Sequence, residues 1–320
     1  MSARVYELHG LNVRSELRLD GRVLDSFGDP DWDVRFFDPA GEAKAPRNGS
    51  VLAQVDEIEY TLIATGSGEY LVRFGRDFEF QISCGRRMIE ARVYPGGDPE
   101  LASILLAGNV LSSVLTLQGE CVLHASGVQI DGSALAIAGA SGMGKSTITA
   151  LLCAAGARLI SDDVLRLTAS RRGTACFAGT SLIRLRPAAA ELALLFPDGM
   201  TIPTSDGRIG VRVQQAAGSR FQLHAIVIPR PSREAPELIV ERLGGRAALV
   251  ELLRYPRLLG WRVSEPTRRS FRFLSDVAMN VPVFSAEVPW GPPFDSAMPR
   301  QLLERVGIDR TRDLAVIRTR

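Results

Sequence analysis

Gly139-Ala140-Ser141-Gly142-Met143-Gly144-Lys145-Ser146 has the spacing GxxxxGK[ST], and each fixed position suits the gripping of phosphate. Glycines let the backbone fold closely around phosphate oxygens with several N–H groups turned inward, and a helix starting at the loop adds its positive end. Lys145 offers a compact ammonium to the β and γ phosphates, and the Ser146 hydroxyl offers a ligand to Mg²⁺. These eight residues, with Thr147 after them, are the candidate nucleotide-binding set. The pattern implies bound ATP or GTP with Mg²⁺. Lysine occurs in the whole chain only at Lys44 and Lys145, the other basic residues being arginine. A planar guanidinium could not replace the loop ammonium without remaking the loop.

A phosphate grip does not fix the fate of the nucleotide. Transfer also needs a carboxylate for Mg²⁺ and a group that orients or deprotonates the attacking hydroxyl. Asp162 and Asp163 close the next strand expected after the loop, where the backbone turns and two adjacent side chains can share one site. Ser146 and Asp163 are the expected metal ligands, and either aspartate can serve as the base. The bland alternative makes one a turn cap and the other a solvated charge. His124 ends the strand before the loop strand, beside small Ala125, Ser126 and Gly127, as a candidate electrostatic or proton-sharing partner of the aspartates. With Lys145 these three complete the candidate catalytic set. His9 and His224 lack such company and are read as structural. Arg184 and Arg186 share one face of a strand and could clamp a γ phosphate or a peptide carboxylate, or simply be solvated.

The elements around the loop have the required order. Ala134–Ala138 reads as a strand running into the loop, Ser146 to about Ala155 as a helix ended by Gly156, and Arg158–Ile160 as the strand before the aspartates. Cys121–His124 is a further strand, separated from the loop strand by a turn at Asp131-Gly132. Residues 1–97 read as a small β-rich module of half-buried antiparallel strands, with turns at Ser26–Pro30 and Pro39–Glu42. Asp98 can cap and Pro99 can start a connecting helix over 98–119, apolar at Leu101, Ile104, Leu105, Leu111, Val114 and Leu115. The catalytic domain spans 98–320. Further strands are expected at 182–185, 225–228 and 282–288, and helices at 188–195, 246–253, 271–279 and 298–306. The arginine-rich end is expected to fray.

Composition narrows the class. The 320 residues, 46% apolar and 23% charged, can bury a core. No apolar run approaches the roughly 20 residues of a membrane span, and the N-terminus lacks a signal-peptide core, so no membrane partner and a cytoplasmic location are expected. Four dispersed cysteines and three histidines offer no separate metal cluster, and the thiols are read as free and buried. A net charge of +2 argues against nucleic acid as partner. Arginines and aromatic residues between Arg254 and Arg272 could dock a peptide, although amphipathic helices covering a core are the simpler reading.

Val122-Leu123-His124-Ala125-Ser126, the glycine loop and Leu159-Ile160-Ser161-Asp162-Asp163 resemble, in order and spacing, the catalytic core of HPr kinase/phosphorylase and its relatives. Tyr6-Glu7-Leu8-His9-Gly10-Leu11 with Ser15 resembles the start of the shorter relatives that act as precursor-peptide kinases in lasso-peptide clusters. The resemblance implies a phosphoenolpyruvate-carboxykinase-like α/β fold with a mixed sheet. It also implies an active centre of His124, Lys145, Ser146, Asp162 and Asp163, and a serine hydroxyl on a peptide or small protein as acceptor. A lasso precursor's C-terminal serine is the favoured acceptor, and a homo-oligomer is the state common among such relatives. No counterpart of the bifunctional enzyme's Gly-Arg-Asn segment is found in the C-terminal half. A nucleotide-dependent regulatory module and a small-molecule hydroxyl kinase or carboxykinase-like enzyme are the rival readings.

Overall fold

In a computed structural model, residues 3–25, 28–41 and 49–308 are described. Ser26-Phe27 and Glu42 of the two expected turns, Lys44 and residues 309–320 lie outside them. Among the described residues, nine strands build an N-terminal sheet. Its order is Arg22–Val23, Arg4–Leu8, Leu11–Ser15, Trp32–Phe37, Met88–Val93, Phe78–Ser83, Glu69–Phe74, Tyr60–Gly66, Ser50–Val55. Alternating burial marks these strands, as in Met88–Val93, because one face lies on the core and the other on solvent. The expected all-antiparallel arrangement is corrected at two joins. Trp32–Phe37 runs parallel to both Leu11–Ser15 and Met88–Val93. Alternation reports which face is buried and not the direction of the neighbouring strand.

The buried face packs on one long helix. Asp98 caps it by accepting from the Glu100 N–H at 2.8 Å, Pro99 starts it, and it runs Pro99–Leu105, through a π-turn at Leu106–Val110, into Leu111–Leu117. Leu106, Val110, Leu111 and Leu115 meet Trp32, Tyr60 and Phe80 in one core cluster. Each fully buried leucine there stabilises the packing by roughly 1.5–3 kcal/mol. Pro99–Leu117 is long and apolar enough by length and composition to cross a membrane, and most of it is buried in the fold. That corrects the expectation that no segment approaches such a length. Ser103, Ser113 and Thr116 interrupt the apolar run, but each donates its hydroxyl to a carbonyl one turn back, at 3.0, 2.8 and 2.7 Å, and so costs the helix little.

The second large sheet carries the glycine loop and is mixed. Its order is Cys121–Leu123, Leu165–Ser170, Gly173–Phe177, Arg220–Ser232, Ser133–Ala138, Ala125–Ile130, Arg158–Ser161, with Val283–Pro289 parallel to Arg220–Ser232. The loop strand Ser133–Ala138 is antiparallel to Ala125–Ile130 and parallel to Arg220–Ser232. Asp131 and Gly132, both at positive φ, make the tight hairpin turn expected there. The expected strand 121–124 stops at Leu123. His124 stands where the chain leaves one neighbour, Leu165–Ser170, for another, Ser133–Ala138. A small sheet of Leu182–Leu185, Ile209–Arg212 and Thr201–Pro203 lies beyond.

Helix Lys145–Ala154 follows the loop, and Gly245–Leu252 and Met298–Arg305 lie where helices are expected. The helix expected at 188–195 is a 3₁₀ helix, Pro187–Leu195, broken at Ala189. The helix expected at 271–279 begins earlier, as Ser264–Asn280. Pro266 falls in its first turn, where a missing N–H removes no intrahelical bond. All four cysteines are free, with Cys121 and Cys176 buried and Cys84 and Cys153 half-buried.

Candidate active site

Gly142 and Gly144 take φ values of +88° and +82°, which lets the loop turn over the start of helix Lys145–Ala154. Gly144 has a second constraint, because a Cβ there would lie 2.2 Å from the Trp290 ring. Gly144→Ala is expected to weaken ATP binding roughly 10- to 100-fold through backbone strain and displacement of the indole, as isothermal titration would read. Lys145 is buried and donates to the Ala140 carbonyl at 3.0 Å. Burial pulls its pKa down to about 8, against the raising fields of Asp163 and Asp162. The charged form that attracts phosphate therefore belongs to pH values below about 8. We expect kcat/KM for ATP, which reports the free protein, to fall as pH rises through that value. A profile flat to pH 9.5 would contradict this.

The two aspartates face different partners. Asp162 is buried, and its carboxylate accepts from Ser126 Oγ at 2.5 Å, from Ser146 Oγ at 2.9 and 3.1 Å, and from the Arg184 N–H at 3.1 Å. The serine and aspartate that meet are therefore Ser146 and Asp162, and not Ser146 and Asp163 as the sequence suggests. The two residues are adjacent, but Asp163 has φ +71°, and this left-handed turn sends its carboxylate elsewhere. Its Oδ1 accepts from His124 Nε2 at 2.9 Å, and its Oδ2 from Arg257 Nη2 at 3.0 Å and Arg184 Nη2 at 3.4 Å. Burial opposes the Asp163 charge, but Arg257, His124 and Arg184 hold its pKa well below the ordinary value. Burial lowers the His124 pKa, although Asp163 works against that, so a neutral imidazole donating to a carboxylate is the resting pair at neutral pH.

Arg184 also pairs with Asp206 at 2.8 Å, and Arg186 donates to Ser141 Oγ of the loop at 2.6 Å. Both expected arginines thus reach the site, lining one cleft with His124, Lys145, Ser146 and Thr147. Arg208, Trp290 and Phe294 complete it. These three were not singled out in the sequence. Trp290 and Phe294 stack edge to face at 5.4 Å, and only tertiary packing brings them to the loop.

Arg257 was seen in the sequence only as one of a basic and aromatic set. Its backbone explains its reach. Pro256 bridges to Leu123, and the Arg257 N–H donates to the Val122 carbonyl at 2.9 Å, tying the segment to the strand that leads into His124. Arg257 Nη2 also donates to Asn109 Oδ1, in the π-turn, at 3.0 Å. His9 and His224 lie outside the cleft. His9 is fully buried, donates to the Ala107 carbonyl at 3.0 Å, and has its pKa lowered by burial to about 4. His224 Nε2 lies 3.3 Å from the Val306 carbonyl.

The donor set fits a hard divalent cation bound together with phosphate. Ser146 and Asp162 supply converging oxygens at a helix start, while no group of three or more His, Cys, Asp or Glu side chains forms a separate metal cage among the described residues. Mg²⁺ typically takes one or two protein oxygens and fills its shell with phosphate and water.

No known family model matches the chain, and no curated protein matches it. Among solved structures, the Hpr(Ser) kinase/phosphatase from Coxiella burnetii is similar over 58% of this chain and 93% of its own length, at 12% sequence identity and a TM-score of 0.29. A likeness that distant carries neither fold nor chemistry to this chain.

Proposed function

We propose that the chain is an ATP-dependent kinase that moves the γ-phosphoryl group to a serine hydroxyl of a peptide or small protein. The observation that carries the reading is the division of labour between adjacent aspartates. Asp162 is fastened to the loop serine, and Asp163 is turned away onto His124, Arg184 and Arg257 at the edge of the same cleft. A nucleotide switch needs the first arrangement and has no use for the second.

In this reading the loop N–H groups and Lys145 hold the phosphates. Ser146 and Asp162 would hold Mg²⁺, which supplies neutralisation of charge on the transferring group. Asp163 orients the acceptor hydroxyl and takes its proton as the oxygen bonds to the γ phosphorus. The bond from that phosphorus to the bridging β–γ oxygen breaks, and its electron pair leaves on ADP. A carboxylate held well below its usual pKa is a weak base, but in a loose phosphoryl-transfer transition state positioning contributes more than early proton removal. His124 can then share the proton. Arg184 and Arg186 lie where charge develops. The phosphoenolpyruvate-carboxykinase-like fold, and a lasso precursor's C-terminal serine as favoured acceptor, come with the sequence resemblance to HPr-kinase relatives.

Incubation with ATP, Mg²⁺ and a panel of serine peptides, read by mass, tests the reading. A gain of one phosphate that Lys145→Ala and Asp162→Asn both abolish is expected. Tight nucleotide binding with no mass gain on any hydroxyl-bearing peptide would overturn it.

A further inference from the structure

A cavity of about 440 Å³ shares Asp163 and Arg184 with the phosphate cleft and contains no residue of the glycine loop. The catalytic carboxylate thus stands between two spaces, only one of which belongs to the nucleotide. Three parts of the chain wall the second space. Leu17, Arg18 and Asp20 come from the connection between strands Leu11–Ser15 and Arg22–Val23 of the N-terminal sheet, Ile104 and Ala107 from the long helix, and Leu182, Ile202 and Arg212 from the small sheet. Its volume falls in the range of ligand cavities, roughly 300–1,000 Å³, which suits a short extended stretch of chain rather than the face of a folded partner.

The chemistry of the wall is mixed. Val164, Leu182, Ile104 and Leu17 give it apolar surface, and Asp20 and Glu100 add carboxylates to those of Asp162 and Asp163. At the rim stand Arg18 and Arg212, both exposed, and among the described residues neither guanidinium closes on a carboxylate. Of the arginines in the site, Arg184 and Arg208 pair with Asp206 and Arg257 with Asp163, while Arg186 donates to Ser141 of the loop. Asp20, half-buried, feels both guanidinium groups, which pull its pKa down against the larger effect of burial, but it closes a hydrogen bond with neither. Two exposed guanidinium forks with no hydrogen-bonded carboxylate suit an anion carried beyond an apolar group.

We propose that this cavity seats the acceptor: the serine hydroxyl at Asp163, an apolar neighbouring residue against Ile104, Leu182 and Ile202, and an acidic group beyond it between Arg18 and Arg212. The proposal rests on the kinase reading for its hydroxyl, but the recognition it describes can be measured without turnover. The acidic group is a glutamate or aspartate side chain or the chain's own terminal carboxylate, which present the same chemistry to the rim.

The test uses the full chain and fluorescent hexapeptides with one serine followed by leucine and then glutamate, glutamine or lysine, each as free acid and as amide. Binding is read by anisotropy in the presence of ADP and Mg²⁺, and transfer by mass with ATP. Peptides with an acidic group are expected to bind about tenfold or more tightly than the neutral glutamine amide. Arg212→Glu is expected to erase that preference and shift it toward lysine, with nucleotide affinity and thermal midpoint unchanged. Ile202→Trp, which fills the cavity, is expected to weaken every peptide. A glutamate effect that survives amidation assigns the anion to a side chain, and one confined to free acids assigns it to the terminus. Equal binding of acidic, neutral and basic peptides, or indifference to Arg212→Glu, overturns the cavity assignment even where transfer is seen. Acidic preference that depends on Arg212, without transfer, would sustain the cavity while the kinase reading fell.

Discussion

Asp163→Asn lowers phosphoryl transfer by about 10²–10⁴-fold while leaving ATP affinity within a few-fold of the parent. The amide keeps the shape and can still accept from Arg257 and Arg184, but it takes no proton and pairs poorly with the N–H of His124. The loop, Lys145 and the Ser146–Asp162 pair make no hydrogen bond to Asp163, and because its charge helps keep Lys145 protonated, the ATP comparison is made near pH 6, where the lysine stays charged in both proteins. Single-turnover transfer to the best peptide, beside an ATP titration, separates the two quantities. Loss of ATP binding in step with transfer would show that Asp163 belongs to the phosphate grip, and full activity would remove it from the chemistry.

Lys145→Ala has an expected effect of comparable size on another quantity. Removing the ammonium from the phosphates costs a charge-assisted contact in a buried setting, and kcat/KM for ATP should fall by about 10²–10³. The nucleotide-free protein should respond differently. A pKa lowered from 10.5 to about 8 by burial means that the charged lysine opposes folding at neutral pH, by an amount on the order of 3 kcal/mol. That opposition is greatest below about pH 8 and fades as pH rises toward 10.5. Alanine removes it while leaving a small void, so the thermal midpoint without nucleotide should stay level or rise. The stabilisation that ATP gives the parent should disappear. A large drop in the nucleotide-free midpoint would mean that the contact from Nζ to the Ala140 carbonyl holds the loop more strongly than burial strains it.

The loop, its strand and its helix are legible in the sequence because local rules coincide there: glycines where φ turns positive, apolar residues in a buried strand, and a helix start at Lys145. The small sheet strand Leu182–Leu185 is legible for the same reason. What was not legible depends on contacts distant in sequence. Arg257 reaches Asp163 across 94 positions, and no spacing rule separates it from Arg254 or Arg262. The sequence reading joined Ser146 to Asp163 where the fold joins it to Asp162, because adjacency says nothing about direction. The positive φ at Asp163, a conformation glycine favours, divides them and leaves no trace in composition. Trp290 in the cleft and Arg18 on the rim were silent for the same cause.

The π-turn at Leu106–Val110 sets the phase of the long helix. One extra residue in a turn shifts everything after it by about 100° around the axis relative to an unbroken α-helix. Before the turn, Ser103 and Ile104 look into the cavity. After it, Leu111 and Leu115 fill the core under the N-terminal sheet, and Asn109, within it, meets Arg257. The helix therefore has no register to spare. Gaining or losing a single residue between Leu105 and Leu111 would force a choice between a sealed core and a correctly aimed carboxylate, so this segment tolerates no change of length even though none of its side chains touches a phosphate.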